Sequence, residues 1–569
     1  MSRPLKVALL QLRAFDLAQH EAAWEEMLRR IDAAAAGEPE LMVLPEASYP
    51  AYFLHSRETY EQAGVIPDAE VEAALAERAR RHGCYIAAGL VVRESPASGA
   101  PADAPNGEGA LQNACLLFAA DGSVSGRYAK SFLWHFDRRW FTPGRDYPVF
   151  DVAGARSGLM ICADGRVPEI ARSLAVAGAR LIIDSTAWVS WSRDAATLSS
   201  PQAEYLMPAR AIENGVWVVA ADKVGMEAGS LVYAGRSGVI DPRGEWVVQA
   251  PADRPGIVTC TLDLDVAAGP PLERRPELYA ANETPGAESA AAALAREPLI
   301  VGQAAARVAA VALATGPSAV ELMEGARAIV RSLGAQGTAL VVLPDLAGHE
   351  TRAVTDVEFL PLFADLSAET ATVLVVQLAE RDNGRTFKTV YMTEGGSLLA
   401  THRQTHLAAA ELEAGFSAGD EPPPVVETAA GRTGLLGGSE GLAPELGRSL
   451  KLRGAELIAW SAGDIAAPVR VLARARAHEN RAYVAAAGTA TGSTVDGGGA
   501  YIIDPTGGVL GETLAGEQMA TSADINRALA RWNEMAPDTD PVRDHDPAAF
   551  AALFRESRVL GESPSREPT

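Results

Sequence analysis

The 569-residue chain holds only four cysteines, Cys84, Cys115, Cys162 and Cys260. None is spaced C-x-x-C, so neither a zinc site nor a redox dithiol is indicated. So few thiols in so long a chain fit a reducing compartment, and a cytoplasmic location is expected. Basic residues are outnumbered: 50 Lys and Arg stand against 73 Asp and Glu, a formal net charge of −23. Nucleic acid and anionic membrane surfaces both need basic patches, so neither is an expected partner. Long apolar runs are missing as well. The run from Val7 to Leu10 is too short for a signal peptide's core. The Ala-rich stretch from Leu299 to Val320 is interrupted by Gln303 and Arg307, so it is no membrane span. No His-rich or carboxylate-rich cluster suggests a metal. No Gly-rich loop with Lys-Ser/Thr appears, so ATP is not implied and no cofactor is expected.

What is present is a globular composition, 48% hydrophobic and 22% charged. The length is too great for one core and suggests two to four domains. Internal repetition points to two. "VALLQL" at Val7 recurs as "VAAVAL" at Val308, and "LMVLPE" at Leu41 as "LVVLPD" at Leu340. "GLMICADGRVPEIARSLAVAGARLII" at Gly158 recurs as "GLLGGSEGLAPELGRSLKLRGAELIA" at Gly434. "ARAIENGVWVVAA" and "VIDPRG" recur, in the same order, as "ARAHENRAYVAAA" and "IIDPTG". Two copies of one domain follow, with residues 1–280 and 299–545 as the copies, 281–298 as a linker and 546–569 as a C-terminal tail. Each copy alternates short β-branched runs with amphipathic helical stretches, the pattern of a layered α/β domain. The closing "GESPSREPT" reads as frayed.

Three segments carry candidate chemistry. In "SGLMICADGRVPEIA" an apolar run ends at Cys162 and a helix opens at Pro168. A thiol at such a turn is expected to be pushed into the open, with a pKa lowered by the helix dipole and nearby amides. The plainer reading is a small buried hydrophobe, and it fits Cys84, Cys115 and Cys260. In "LMVLPEASYP" Glu46 leaves a buried strand, where sheet folds place their chemistry. In "GSVSGRYAKSFLWHFDRRWFTPG" Lys130 leaves a strand before an aromatic loop. Together they supply a base, a cation and a soft nucleophile.

This combination resembles the nitrilase superfamily, the carbon–nitrogen hydrolases, whose pattern is a "PE" turn, a "K-x-H" stretch and "C-x-D-x-R-x-P-E". "FTPG", "ARAIENGVWVV", "SGVIDPRGEW" and "RRPELY" agree with it in order. Two positions depart: Phe132 stands where the family often has His, and Asp137 where its second acid is usually Glu. The resemblance implies two tandem α-β-β-α sandwiches, which could meet within one chain as an intramolecular pseudo-dimer or form a homo-oligomer. It implies Cys162 as nucleophile, Glu46 as general base and acid, and Lys130 with the amide near Ala163 as oxyanion donors, Asp137 assisting. Asp164, Arg166, Trp188, Trp134 and Tyr49 are its candidates for the substrate. Arg166 is equally readable as a helix N-terminal residue paired with Glu169 or solvent. The expected substrate is a linear amide or N-carbamoyl compound. A nitrile is disfavoured, because Ala163-Asp164 replaces Trp-Glu after the cysteine.

The second copy is expected to be non-catalytic. The positions of Cys162 and Glu46 fall on Gly438 and Asp345, and that of Lys130 on Gln404 or Arg403. Ser439 reads as a turn residue without a base or cation. A rival reading makes the whole chain a binding or regulatory scaffold. A glutamine-using amidotransferase would need an "SGGxDS" type of loop, and the second half instead repeats the first.

Overall fold

The run "KVALLQL" sorts its side chains to two sides. In the strand Leu5–Arg13, Val7 and Leu9 pack between two sheets, while Ala8, Leu10 and Leu12 pack under helices. Both faces are covered, so the strand is apolar from Val7 to Leu10, as a strand buried on both sides is. The helices His20–Ala34 and Asp68–His82 bring Met27, Ile31, Val71, Leu75 and Ala79 onto that outer face. The computed structural model describes residues 4–94, 110–297, 299, 304–313, 319–347, 356–463, 465, 467–490, 499–514 and 516–555. The stretch read as frayed lies outside these residues, as does part of the Ala-rich stretch after Leu299.

Each half is an α-β-β-α sandwich. The first sheet of the front half runs Leu231–Ala234, Lys223–Glu227, Leu5–Arg13, Leu41–Val43, Tyr85–Arg93, Leu111–Phe118, Val124–Ala129, with Gly256–Leu262 also pairing Leu5–Arg13. Its second sheet runs Trp246–Gln249, Gly238–Ile240, Trp217–Ala221, Leu181–Ser185, Ala155–Ile161, Val149–Val152. Three parallel neighbours form the middle of each. The back half repeats the plan around Ala305–Ala312, Leu340–Asp345 and Val373–Asp382, and around Gly431–Gly437, Leu457–Gly463 and Tyr483–Gly488. Even an inter-sheet tie is duplicated: Ser185 Oγ donates to the Leu44 carbonyl and Ser461 Oγ to that of Leu343, both at 2.7 Å.

The halves meet through the helices covering their second sheets. Every residue of Met207–Asn214 is buried, charged ones included. Those charges are paired across a pseudo-twofold axis, as buried charges must be. Arg172 meets Glu445 at 3.1 Å and Arg448 meets Glu169 at 2.8 Å. Arg210 meets Glu479, and Arg476 meets Glu213. One apolar cluster runs through the contact, joining Leu174 and Ile212 to Leu446, Leu450 and Leu472.

Each half also lends an arm to the other. From the front half, Tyr279 stacks on His406 with its hydroxyl 2.7 Å from Nε2, and Asn282 Nδ2 donates to the Glu445 carbonyl. The stretch read as a linker carries short helices, Gly286–Glu288 and Ala290–Leu294. From the back half, Thr539 Oγ1 accepts from the His135 amide at 2.7 Å, Asp544 pairs with Arg138 at 2.5 Å, and Phe550 stacks on Tyr147. The loop so held is the aromatic loop that follows Lys130.

Candidate active site

Glu46 stands just beyond the C-terminal end of Leu41–Val43. The neighbouring strand lies hard against it. A Cβ at Gly89 would stand 2.4 Å from the Pro45 carbonyl and 2.7 Å from the Glu46 Cα, so only glycine lets the backbones approach. The carboxylate is fully buried. Its Oε1 accepts from Lys130 Nζ at 2.7 Å and from Asn113 Nδ2 at 2.6 Å, while Oε2 has no partner. Burial raises its pKa, and the Lys130 ammonium opposes that rise.

Lys130 follows Val124–Ala129 and donates a second bond to Asp137 Oδ2, also at 2.7 Å. Two carboxylates around one buried ammonium hold its pKa well above the usual lysine value, against desolvation. The Tyr52 ring lies 5.5 Å from Nζ. Asp137 is fixed in turn by the Trp134 amide.

Cys162 sits between Ala155–Ile161 and the turn Cys162–Arg166, at a φ of 49°. That left-handed conformation disfavours a non-glycine side chain and marks a position held by its surroundings. Its amide donates to Asp184 Oδ1 at 2.9 Å, and its carbonyl accepts from Gln202 Nε2 at 2.5 Å. The expectation of an open, acidic thiol is overturned. Cys162 is only 7% exposed. Burial drives its pKa well up, and the Glu46 charge adds to the rise; Lys130 counters only in part. The thiol therefore rests neutral, within electrostatic reach of both groups.

The remaining candidates divide. Ala163 follows Cys162 at the start of the turn, where amides have no carbonyl behind them. The oxygens of Asp164 are taken by the amides of Ser131, Phe132 and Ile161 and by the Tyr128 hydroxyl. They tie the lysine loop to the cysteine turn, and burial pushes this carboxyl up to about 6. Tyr49 points the other way: its hydroxyl lies 3.3 Å from His20 Nδ1 and accepts from the Ile66 amide under the outer helices. Tyr52 is the aromatic residue beside Lys130. Trp188 is wholly buried, with an unpartnered Nε1. Arg166 pairs neither with Glu169 nor with solvent; it lies 4.4 Å over the Trp134 ring and donates to His478 of the back half at 2.8 Å. Asn113, Asp184 and Gln202 carry no motif that marks them in the sequence. The one available signal was a polar residue inside a wholly buried strand, as in "LQNACLLF".

The corresponding place in the back half retains more than expected. Gln404, not Arg403, answers to Lys130: the Lys130 amide donates to the Asn113 carbonyl, and the Gln404 amide to that of Lys388. Arg403 points away, to Glu380 and Asp382. Lys388, in the place of Asn113, bridges Asp345 at 2.5 Å and Glu411 at 2.6 Å. Ser439 donates to Glu411 Oε2 at 2.6 Å, so it does have a carboxylate partner. The nucleophile alone has no counterpart. Gly438 keeps the elbow, at φ 43°, but a Cβ there would lie 2.4 Å from Gln404 Oε1 and 2.7 Å from Glu411 Oε1.

A neutral thiol beside a carboxylate with one free oxygen, facing a fixed ammonium, is suited to acyl transfer through a thioester. The class so defined is that of cysteine hydrolases on α-β-β-α sandwiches. The profile described as "Carbon-nitrogen hydrolase" matches residues 6–269 and again 307–533. The chain belongs to the carbon–nitrogen hydrolase family, with two copies of its domain, and is an enzyme acting on carbon–nitrogen bonds other than peptide bonds. A nitrilase of Pyrococcus abyssi is 30% identical over 262 residues, 46% of this chain and 90% of that protein. An (R)-stereoselective amidase of a Pseudomonas species is 30% identical over 263 residues, 46% of this chain and 86% of that one. Among solved structures, a mutant amidase of Nesterenkonia sp. AN1 with acrylamide added to its active-site cysteine is similar at 25% identity and a TM-score of 0.38, covering 48% of this chain and 98% of that one. Among the described residues no helix is long and apolar enough to cross a membrane, and no group of three or more His, Cys, Asp or Glu could hold a metal.

Proposed function

We propose that the front half hydrolyses a linear amide or N-carbamoyl compound bearing an acid group, through a thioester at Cys162, and that the back half performs no chemistry. The observation that carries the reading is Glu46, whose Oε1 is pinned by two donors while Oε2 is buried and free. Glu46 Oε2 takes the thiol proton as sulfur attacks the carbonyl carbon. Lys130, kept cationic by Asp137, stabilises the oxyanion together with the Ala163 amide. Glu46 then returns the proton to the leaving nitrogen, and the C–N bond breaks. The same carboxylate activates the water that cleaves the thioester and restores the thiol. Arg166 receives the substrate's acid group: it is a buried cation with no carboxylate within 4.0 Å among the described residues, which is costly unless an anion arrives. Trp134 walls that end of the pocket.

The test is ammonia release from a panel of amides by wild type and Cys162→Ala, with iodoacetamide labelling mapped by mass spectrometry. Release that survives Cys162→Ala would sink the assignment. The acid limb of kcat/KM is expected above the ordinary carboxylate range, because burial raises Glu46 and only its ionised form can take the thiol proton. An acid limb near pH 4 would contradict that role.

A further inference from the structure

The two halves are related by a pseudo-twofold axis, and their interface contacts come in matched pairs. Some contacts have no mate, and one of them involves a residue of the cysteine turn. In the register that aligns Arg210 with Arg476, His478 answers to Ile212. In the register that aligns Cys162 with Gly438, Arg166 answers to Leu442. The Arg166–His478 bond therefore occurs once, on the side that keeps a thiol.

Its chemistry is defined by its donors. A guanidinium can only donate, so His478 Nε2, 2.8 Å away, must be the acceptor. The ring proton is then on Nδ1, which donates to the Thr506 carbonyl at 2.8 Å. The Tyr205 hydroxyl donates to that same carbonyl and buttresses the ring at 2.9 Å. Burial and the nearby Arg166 charge both disfavour a protonated ring. A carboxylate in this place would orient Arg166 equally well, but it would neutralise the guanidinium and occupy its fork. A neutral imidazole orients it and leaves the charge unspent. Below the guanidinium, the Trp134 face adds attraction without a counter-charge.

We propose that His478, carried by the back half, is a positioning residue for specificity: it fixes Arg166 through one nitrogen and leaves the other donors for the carboxylate of an acid-bearing amide. This rests on the reading of Arg166 given above. The second half thereby selects the substrate that the first half cleaves.

The experiment compares two substrates in the full chain, a dicarboxylic acid monoamide and a neutral straight-chain amide of equal length. For His478→Ala the preference for the acid substrate, as a ratio of kcat/KM, is expected to fall about tenfold, the loss of one bond to a charged group. The change falls in KM, with kcat for the acid substrate held within about twofold. His478→Gln, which offers a carbonyl acceptor, restores most of the preference. His478→Glu removes it, by neutralising Arg166. Equal effects of His478→Ala and His478→Glu on both substrates, or none on either, would overturn the proposal. Thermal melts show which variants fold, and the Gln and Glu variants decide the matter if Ala does not. Arg166→Ala separates the two readings. A preference that it leaves unchanged sinks the role of Arg166 itself. A preference lost in Arg166→Ala but intact in the His478 variants sinks only the proposal about His478.

Discussion

Both halves bury an ammonium between two carboxylates at the same end of the same sheet, yet the ammonium comes from different strands. In front, Lys130 bridges Glu46 and Asp137; behind, Lys388 bridges Asp345 and Glu411. Charge balance at that depth is a demand of packing, because a buried carboxylate without a cation costs several kcal/mol. The back half still meets that demand. At the elbow, however, it has a glycine, Gly438, and no thiol. Gln404 and Glu411 fill the volume a cysteine side chain would need at Gly438. A charged cluster resembling an active site is therefore not evidence of activity. The residue at the elbow, Cys162 in front and Gly438 behind, is the discriminating feature.

The contrast makes four predictions. Cys162→Ala is expected to reduce turnover by about 10⁴-fold or more, as loss of a covalent nucleophile does, while Ser439→Ala changes amide turnover little. A comparable loss in both would mean that the back half takes part. Lys130→Gln is expected to lower kcat by about 10³-fold through loss of an oxyanion donor, whereas Lys388→Gln lowers thermal stability and leaves the chemistry to the front half. Steady-state kinetics alongside differential scanning calorimetry separates the two effects. Glu169→Gln tests the interface. Arg448 and His545 hold the Glu169 carboxyl down from its ordinary 4.5 to about 2. A depressed carboxylate stabilises the fold fully above its unfolded value and loses that contribution as pH falls toward about 2. The variant should thus cost roughly 3 kcal/mol at pH 7 and almost nothing near pH 2, as read by denaturant titration at both. The smallest effect is expected from Gly438→Cys: no new iodoacetamide-sensitive turnover in a Cys162→Ala background. Recovered activity there would show that Gln404 and Glu411 yield.

Glu46, Lys130 and Cys162 were legible because each leaves a strand at a break in hydrophobic patterning. The repeat was legible because its landmarks hold their order. What stayed hidden was tertiary. Tyr49 and Tyr52 lie in one irregular segment with no period to say which faces inward, and it is Tyr52. The thiol departs from the expected acidity because a helix terminus is visible in sequence and desolvation is not; burial proves the larger influence. The cation of the back half was invisible because Lys388 and Gln404 are neighbours only through strand pairing. The partner of Arg166 lies 312 positions away and has no counterpart in the repeat.

The crossed arms have one more consequence. In an assembly of separate subunits, the segment clamping each catalytic loop would come and go with dilution. Here Thr539, Asp544 and Phe550 reach the front loop from the same polypeptide. The clamp's local concentration is set by covalent tethering, so the loop stays gripped however scarce the protein becomes.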